Sequence, residues 1–475
     1  MMFVPLTTDI LVWLLVAAIA AYFIYVRRQP HLLVPWRRVT QSAYGMSALV
    51  VLVVFVTIGL LDSIHYRPAL ERKAGQGTAY STEVLSVFDV IASPLRDRRE
   101  RTYSAPFATR AYTRETLEIQ GPDGRVRQVR EFPKLRWGGA HLEDETGRGR
   151  DILVRAMLGL ALGSLVWFVL AGASAWRQAH LSKRRPGEAW RAIWRGETQT
   201  PWRAVLIAAG VLLALAGPAL ALCAHYHVLG TDKVGRDVFY LAMKSIRTGL
   251  IIGTLTTLVL LPLAVALGIM AGYFRGWIDD VIQYLYTTVS SIPGVLLIAA
   301  AVLLMQVQLD RHPELFPTSA QRADLRLLFL CLILGLTSWT GLARLLRGES
   351  LKLRELEYIQ AAQAFGVRDT RIIARHILPN VMHIVLISLV MDFSGLVLAE
   401  AVLSYVGVGV DPSMISFGTM INAARLEMSR EPIVWWALAA AFAFMFVLVL
   451  AANLFADAVR DAFDPRVRVG TLAAA

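Results

Sequence analysis

The sequence predicts an all-α polytopic membrane protein of about nine transmembrane helices, with an extracytoplasmic insert carrying some β structure. Three observations lead there. Apolar residues make up 56% of the 475 and charged ones only 18%, and the mean hydropathy is +0.52; a soluble domain is nearer 45–50% apolar. Apolar runs of the roughly 20 residues that a bilayer requires recur along the chain. One long polar stretch, residues 62–150, interrupts them.

The runs lie near residues 9–26, 43–61, 152–176, 203–224, 248–273, 281–306, 326–346, 383–407 and 433–456. The first is read as a retained helix, because no Lys or Arg precedes it and Arg27 and Arg28 follow it, unlike a secretory signal. Pro262 and the Pro293-Gly294 pair fall inside the fifth and sixth runs and predict kinks whose freed carbonyls need other partners. Gate motion and plain packing both account for them.

Orientation follows from the basic residues beside the runs. Arg27, Arg28, Arg37 and Arg38 place the first loop inside, and "RQAHLSKRRPGEAWRAIWR" of residues 177–195 places the third inside. The N-terminus is then outside and the C-terminus cytoplasmic. The polar stretch 62–150 falls outside, where long segments go largely regardless of charge. Within it "TLEIQGPDGRVRQV" alternates on both sides of a Gly-Pro-Asp-Gly turn, a hairpin signal. Val84, Leu85, Val87, Phe88, Phe107 and Trp137 favour a small ordered domain over a disordered linker.

Several classes drop out. The net charge of +12 sits largely beside apolar runs as topology signals do, and not on a soluble nucleic-acid-binding face. Cys223 and Cys331 lie in apolar runs without CxxC or His spacing, so neither a disulfide framework nor a metal site is expected. No GxxxxGK[ST], HExxH or GxSxG occurs, so the chain is expected to bind no nucleotide and to be no enzyme itself.

One water-facing stretch stands out among the later runs: "EYIQAAQAFGVRDTRIIARHILPN", residues 357–380. Glu357 to Phe365 is rich in helix formers, Gly366 is placed to end that helix in a left-handed conformation, and Asp369 or Thr370 is placed to cap a second helix ending near Leu378. Pro379 then starts a new helix. Ala361 and Ala362 leave a face without bulk, and Ile359 and Phe365 offer apolar anchors. Docking of another protein and a connector packed on its own bundle both fit this pattern.

"QAAQAFG", nine residues and then "HILP" resemble the EAA loop of ABC importer permeases: Glu-Ala-Ala, three residues, Gly, nine residues, Ile-x-Leu-Pro. Gly366, Leu378 and Pro379 match in place; Gln360 stands for the usual Glu, keeping length and hydrogen bonding without the charge, and His376 for the usual Ile. "LGTDKVGRDVFYLAMKSIRTGL" (229–250), "GYFRGWIDDVIQ" (272–283) and "NLFADAVRDAFDPRVR" (453–468) are similar to the dipeptide, oligopeptide and nickel type of permease. The matches span roughly residues 203–468 in order.

The resemblance implies that the last six helices form a type I importer permease core. It also implies that Gln360, Ala361, Ala362, Phe365, Gly366, Leu378 and Pro379 belong to a loop seated on an ATPase subunit. Leu229, Gly230, Thr231, Asp232, Gly235, Arg236 and Asp237 form the extracytoplasmic motif. Asp392 and Glu400, eight residues apart in the eighth run and so about 12 Å along one side of a helix, are candidates for the pathway or a sister-permease contact, since intramembrane charges are costly unless they face a cavity or partner. Pairing within the bundle is the other reading. Glu400 matches a subfamily glutamate; Asp392 does not.

The implied partners are a second related permease, two ABC ATPases that use the ATP, an extracytoplasmic solute-binding protein and membrane lipid, with no cofactor on this chain and no nucleic acid. The implied place is the bacterial inner membrane, and the implied cargo short peptides, with nickel, opines or another peptide-like solute as alternatives. A self-contained secondary transporter is the competing class, but no internal repeat is evident.

The resulting partition is an extra N-terminal helix pair (1–61), the insert (62–150), an extra helix with a basic cytoplasmic loop (151–202), a first core helix with the LGTD/GRD segment (203–247), and the permease transmembrane domain (248–475) with its coupling loop 357–380.

Overall fold

A computed structural model of the chain describes residues 2–69, 80–120, 126–142, 145–183, 185–312 and 318–463. Nine helices among the described residues are long and apolar enough to cross a membrane, in the order of the nine apolar runs. The chain opens with β1 (Met2–Phe3), α1 (Thr7–Arg27), α2 (Pro30–Val39) and α3 (Ala43–Asp62). The insert adds β2 (His65–Arg67), β3 (Leu85–Ser86), α4 (Val87–Ile91), α5 (Ser93–Arg96), β4 (Glu115–Gln120) and β5 (Val126–Glu131). Next come α6 (Arg148–Ser182), α7 (Pro186–Arg195) and α8 (Trp202–Cys223). The rest comprises α9 (Val238–Phe274), α10 (Trp277–Ser291), α11 (Gly294–Arg311), α12 (Ser319–Ser338), α13 (Thr340–Arg354), α14 (Glu357–Ala364), α15 (Asp369–Ile372), α16 (Leu378–Val406), α17 (Phe417–Glu427) and α18 (Trp436–Phe463).

These elements group into two compact units, one of Met1–Val4, Thr40–Thr248 and Ile415–Ala451, the other of Pro5–Val39, Gly249–Met414 and Ala452–Ala475. In the first, the insert is ordered where it is described. β1, β2 and β3 form one antiparallel sheet, and β4 pairs with β5 with Glu115 opposite Glu131. The Gly-Pro-Asp-Gly turn expected between them, with Arg125, lies outside the described residues. α4 starts on a reciprocal cap between Ser86 and Asp89, which satisfies N-terminal donors that have no helical partner. Asp89 also accepts from the Tyr240 hydroxyl at 2.7 Å and contacts Lys244, and Asp62 accepts from Ser86 Oγ at 2.6 Å. Buried carboxylates need such partners, and these tie the insert to the start of α9.

The helices outside the family resemblance are packed onto those within it. α6 meets α8 where a Cβ on Gly159 would stand 2.4 Å from the Gly217 carbonyl oxygen, so only glycine permits this backbone approach. α6 is 35 residues long, about 52 Å at 1.5 Å per residue, and outruns the 152–176 run because its polar ends continue the helix beyond the hydrocarbon.

In the second unit, Asp324 of α12 accepts from Thr7 Oγ1 at 2.6 Å and from the Thr8 amide at 3.0 Å, stabilising the positive end of α1. Leu11 and Val12 of α1 pack on a core that includes Ile251, Leu255, Leu327, Leu330, Leu334 and Leu403.

The sixth run is not one helix. It breaks between α10 and α11, leaving Gly294–Arg311 as the membrane-length piece instead of 281–306. Ile292, just before Pro293, is held extended at φ −87°, ψ 132°, because the proline ring crowds a helical residue preceding it. Pro262, by contrast, sits inside an unbroken α9.

Candidate functional site

The stretch 357–380 folds as a short helix and a left-handed elbow. α14 ends at Ala364, and Gly366 takes φ +71°. Its amide donates to the Gln363 carbonyl at 2.9 Å, and the Val367 amide reaches back to that of Ala362 at 3.1 Å, the paired closure that favours glycine at this position. Among the described residues, none beyond its chain neighbours lies within 4 Å of where a Gly366 Cβ would be, so the backbone alone demands the glycine.

Beyond the elbow the structure departs from the sequence expectation twice. The N-cap of α15 is Arg368, without a side-chain cap, because the Asp369 carboxylate accepts from the Tyr273 hydroxyl at 2.6 Å instead. Pro379 lies in the first turn of α16, as expected, but the helix before it does not stop: α15 runs through a π-helical turn, Ile373–Ile377, straight into α16. The wider turn carries the chain past the proline, which has no N–H and would crowd a regular α-turn, and the Asn380 side-chain amide takes the His376 carbonyl at 2.6 Å.

The two faces of the elbow differ. Ile359, Ile372 and Ile377 are fully buried, packed with Leu342, Leu346 and Val381. Ile359 is therefore an anchor to its own bundle and not an outward one, contrary to expectation. Ala362 and Leu378 are half-buried against the same core, whereas Gln360, Ala361, Gly366 and Pro379 are exposed and Phe365 is 88% exposed. Gln360, at the position of the family's Glu, donates to the Glu355 carbonyl at 3.2 Å.

Tyr273, near the end of α9, fastens this elbow. Its hydroxyl, bonded to Asp369, also accepts from Gln363 Nε2 at 3.1 Å, and its carbonyl accepts from Arg354 at 2.8 Å. α13 is braced in turn by the two-pronged Arg347–Asp279 pair at 2.6 and 2.7 Å, a geometry that fixes direction as well as distance. Sequence reading missed Tyr273; an aromatic at the end of an apolar run reads as a membrane-interface anchor.

The LGTD/GRD segment is largely buried and binds its own insert. Thr231 accepts from the Ser104 amide at 2.7 Å and donates to the Thr102 carbonyl at 2.9 Å, and the Trp436 indole donates to the Thr231 carbonyl at 2.9 Å. Asp232 accepts from the Val234 and Arg236 amides and from Arg236 Nε, at 2.8–2.9 Å. Gly230 and Gly235 both have positive φ, and Leu229 is half-buried. Asp237 accepts from the amides of Phe239 and Tyr240 at 2.9 and 3.2 Å, capping α9.

At the centre His227 Nδ1 lies 2.7 Å from Asp237, with Nε2 3.4 Å from Glu100. Glu100 accepts from the amides of Arg136, Trp137 and Gly138 at 2.7–3.1 Å. Burial by itself would depress His227, but the two carboxylates hold it up at about 9. Burial would likewise raise Glu100, which His227 and the three amides hold down at about 2. The imidazolium thus pairs two buried carboxylates, a cluster costly to break at any one member. Glu100 and His227 carried no sequence signal, since they stand 127 positions apart.

Asp392 and Glu400 have different surroundings. Glu400 is 1% exposed and accepts from Ser404 at 2.7 Å, within its own helix. Asp392 is half-buried and makes no hydrogen bond or ion pair among the described residues.

Residues 264–469 match the family described as binding-protein-dependent transport system inner membrane component. The glutathione transport system permease protein GsiD of Pectobacterium atrosepticum is 33% identical over 242 residues, 51% of this chain and 73% of that protein. The chain belongs to this family of ABC importer permeases. The oligopeptide permease OppC of Mycobacterium tuberculosis is 29% identical over 51% of this chain and 77% of its own length. The dipeptide permease DppC of Bacillus subtilis is 28% identical over 51% and 69%. The permease is thus of the peptide type, an all-α multi-pass protein of the inner membrane.

Proposed function

We propose that this permease forms half of a translocation path for short peptides, beside a second, related permease, and is driven by two separate ATPase subunits, one of them seated on the elbow. The observation that carries the reading is the elbow itself. Phe365 projects 88% exposed from a turn whose other face is locked into the bundle through Ile359 and Tyr273, so a push on Phe365 is delivered to α9, α13 and α16 instead of being absorbed by a loose loop. Glutathione, oligopeptide and dipeptide in the names of its relatives support a peptide cargo received from an extracytoplasmic binding protein. The sequence has no phosphate-binding loop, which supports a subunit that leaves hydrolysis to its partners.

In this reading the N-terminus lies outside and the C-terminus inside, supported by the basic loops at 27–38 and 177–195 and the positive-inside rule. Asp392 faces the pathway or the sister permease, and the core from 203 onward does the transport while the helices and insert before it brace it. Phe365→Ala tests the docking. An exposed aromatic that anchors an interface is worth about 2 kcal/mol or more, so ATPase co-purification should fall by about 30-fold with membrane insertion unchanged. Wild-type co-purification and uptake in both Phe365→Ala and Gly366→Val would remove the elbow as the docking element.

A further inference from the structure

The segment between α6 and α8 has a structure that the transport cycle does not call for. α7 buries Ala189, Ala192 and Ile193, and Ile193 packs with Ala171 and Ala175 of α6 and Leu206 of α8. This contact fixes its depth. α8 has 22 residues, about 33 Å at 1.5 Å per residue, which is little more than the hydrocarbon thickness, so its first turns at Trp202 and Leu206 mark the edge of the hydrocarbon. α7 runs back along the end of α6, and its last turn, packed on these residues, reaches the membrane surface.

The indoles agree with that depth. The rings of Trp167 and Trp194 lie 6.5 Å apart and those of Trp190 and Trp194 5.8 Å apart, forming an aromatic cluster of the kind enriched at headgroup level. The opposite face of the segment is cationic. Residues 177–203 contain seven Lys or Arg against two acids, Glu188 and Glu197. Arg177, Lys183, Arg185, Arg191, Arg195 and Arg203 are all exposed, and none forms an ion pair among the described residues.

We infer that α7 and its flanks are a binding surface for anionic phospholipid headgroups. A helix whose last turn sits at the interface, with a tryptophan cluster at headgroup depth and unpaired arginines around it, matches lipid phosphates in charge. Planar guanidinium groups suit phosphate oxygens, and their hydrocarbon stems extend along the apolar surface towards the headgroups. The lipid fastens the α6–α7–α8 hairpin to the membrane surface and stabilises it.

The test uses the full-length chain in phosphatidylcholine nanodiscs with increasing phosphatidylglycerol, reading the melting temperature and counting co-purified lipid by mass spectrometry. The wild type should melt higher as phosphatidylglycerol rises, and should retain it over phosphatidylcholine. In Arg185→Gln/Arg191→Gln/Arg195→Gln the affinity for phosphatidylglycerol should fall by about a hundredfold, each cation near an anionic surface being worth about fivefold, so that the melting temperature no longer saturates within the range of lipid fractions. The corresponding Arg→Lys triple variant should stay within a few-fold of wild type, which separates charge from any fault in folding. Added salt should weaken the effect, and glycerol phosphate at matched concentration should not reproduce it. Equal responses to the two lipids, an unchanged response in the glutamine variant, or a full response to glycerol phosphate would each overturn the assignment.

Discussion

Gly235→Ala should detach the insert from the LGTD/GRD segment. A Cβ at this position would stand 1.9 Å from the Glu100 carbonyl oxygen and 2.4 Å from its carbon, backbone atoms that no rotamer change can move aside. Gly235 also has φ +76°, which costs a residue with a Cβ about 1–2 kcal/mol. Displacing the Glu100 backbone breaks its amide's 2.9 Å bond to the Gly235 carbonyl, worth about 1 kcal/mol. If the Glu100 carboxylate moves with it, His227 and Asp237 lose a buried partner at a further cost of about 3–5 kcal/mol. The total is about 2–3 kcal/mol before the carboxylate moves and about 5–8 kcal/mol after. Hydrogen exchange of the amides at 100–104 and 134–138 in the purified permease reads this directly, since even 2 kcal/mol accelerates exchange about 30-fold. Gly187→Ala, where a Cβ meets nothing within 4 Å, serves as the control and should leave exchange unchanged. Exchange in Gly235→Ala within threefold of wild type would refute the reasoning.

The same junction should depend on pH. His227 is held at about 9 against an ordinary 6.5, so its contribution, roughly 3 kcal/mol, is complete below about 6.5 and lost as pH rises through about 9. Glu100 is held at about 2 against 4.5, so its contribution is present above about 4.5 and lost as pH falls towards 2. Exchange protection of the insert should therefore be greatest between about pH 4.5 and 6.5, and protection unchanged from pH 6.5 to 10 would refute the charged-histidine assignment. For orientation, Thr116→Cys on β4 should react with a membrane-impermeant thiol reagent from outside, and Lys183→Cys at the end of α6 only after permeabilisation; the reverse pattern would invert the proposed topology.

Much of this architecture is written locally in the sequence. Apolar runs announce the nine long helices because the bilayer rewards about 20 consecutive apolar residues regardless of what they pack against, and Gly366 announces the elbow because the left-handed turn is a single-residue requirement. Ile359 was legible in principle: it shares the helical spacing of Ala362, two residues of one face packed inward, but an apolar residue beside an exposed Phe365 reads as a second anchor. The break at Ile292 follows from Pro293, yet Pro262 leaves α9 whole, because neighbouring packing decides whether a proline's lost hydrogen bond is tolerated. The insert's attachment was not legible. Glu100, Thr231, His227 and Trp436 are drawn from three distant stretches, and their pairing is fixed by tertiary contact alone. For the same reason the burial of Thr231 and Asp237 in the LGTD/GRD segment could not be read from the sequence.

The most direct measurement is uptake of a labelled short peptide into proteoliposomes containing this permease, its sister permease and both ATPases, with binding protein supplied on the side opposite the ATPases. Uptake should require ATP and the binding protein, stop when the ATPases are omitted, and fall with Phe365→Ala. Uptake by this chain alone, driven by an ion gradient at a rate equal to that of the complete assembly, would contradict the account and make it a self-contained transporter.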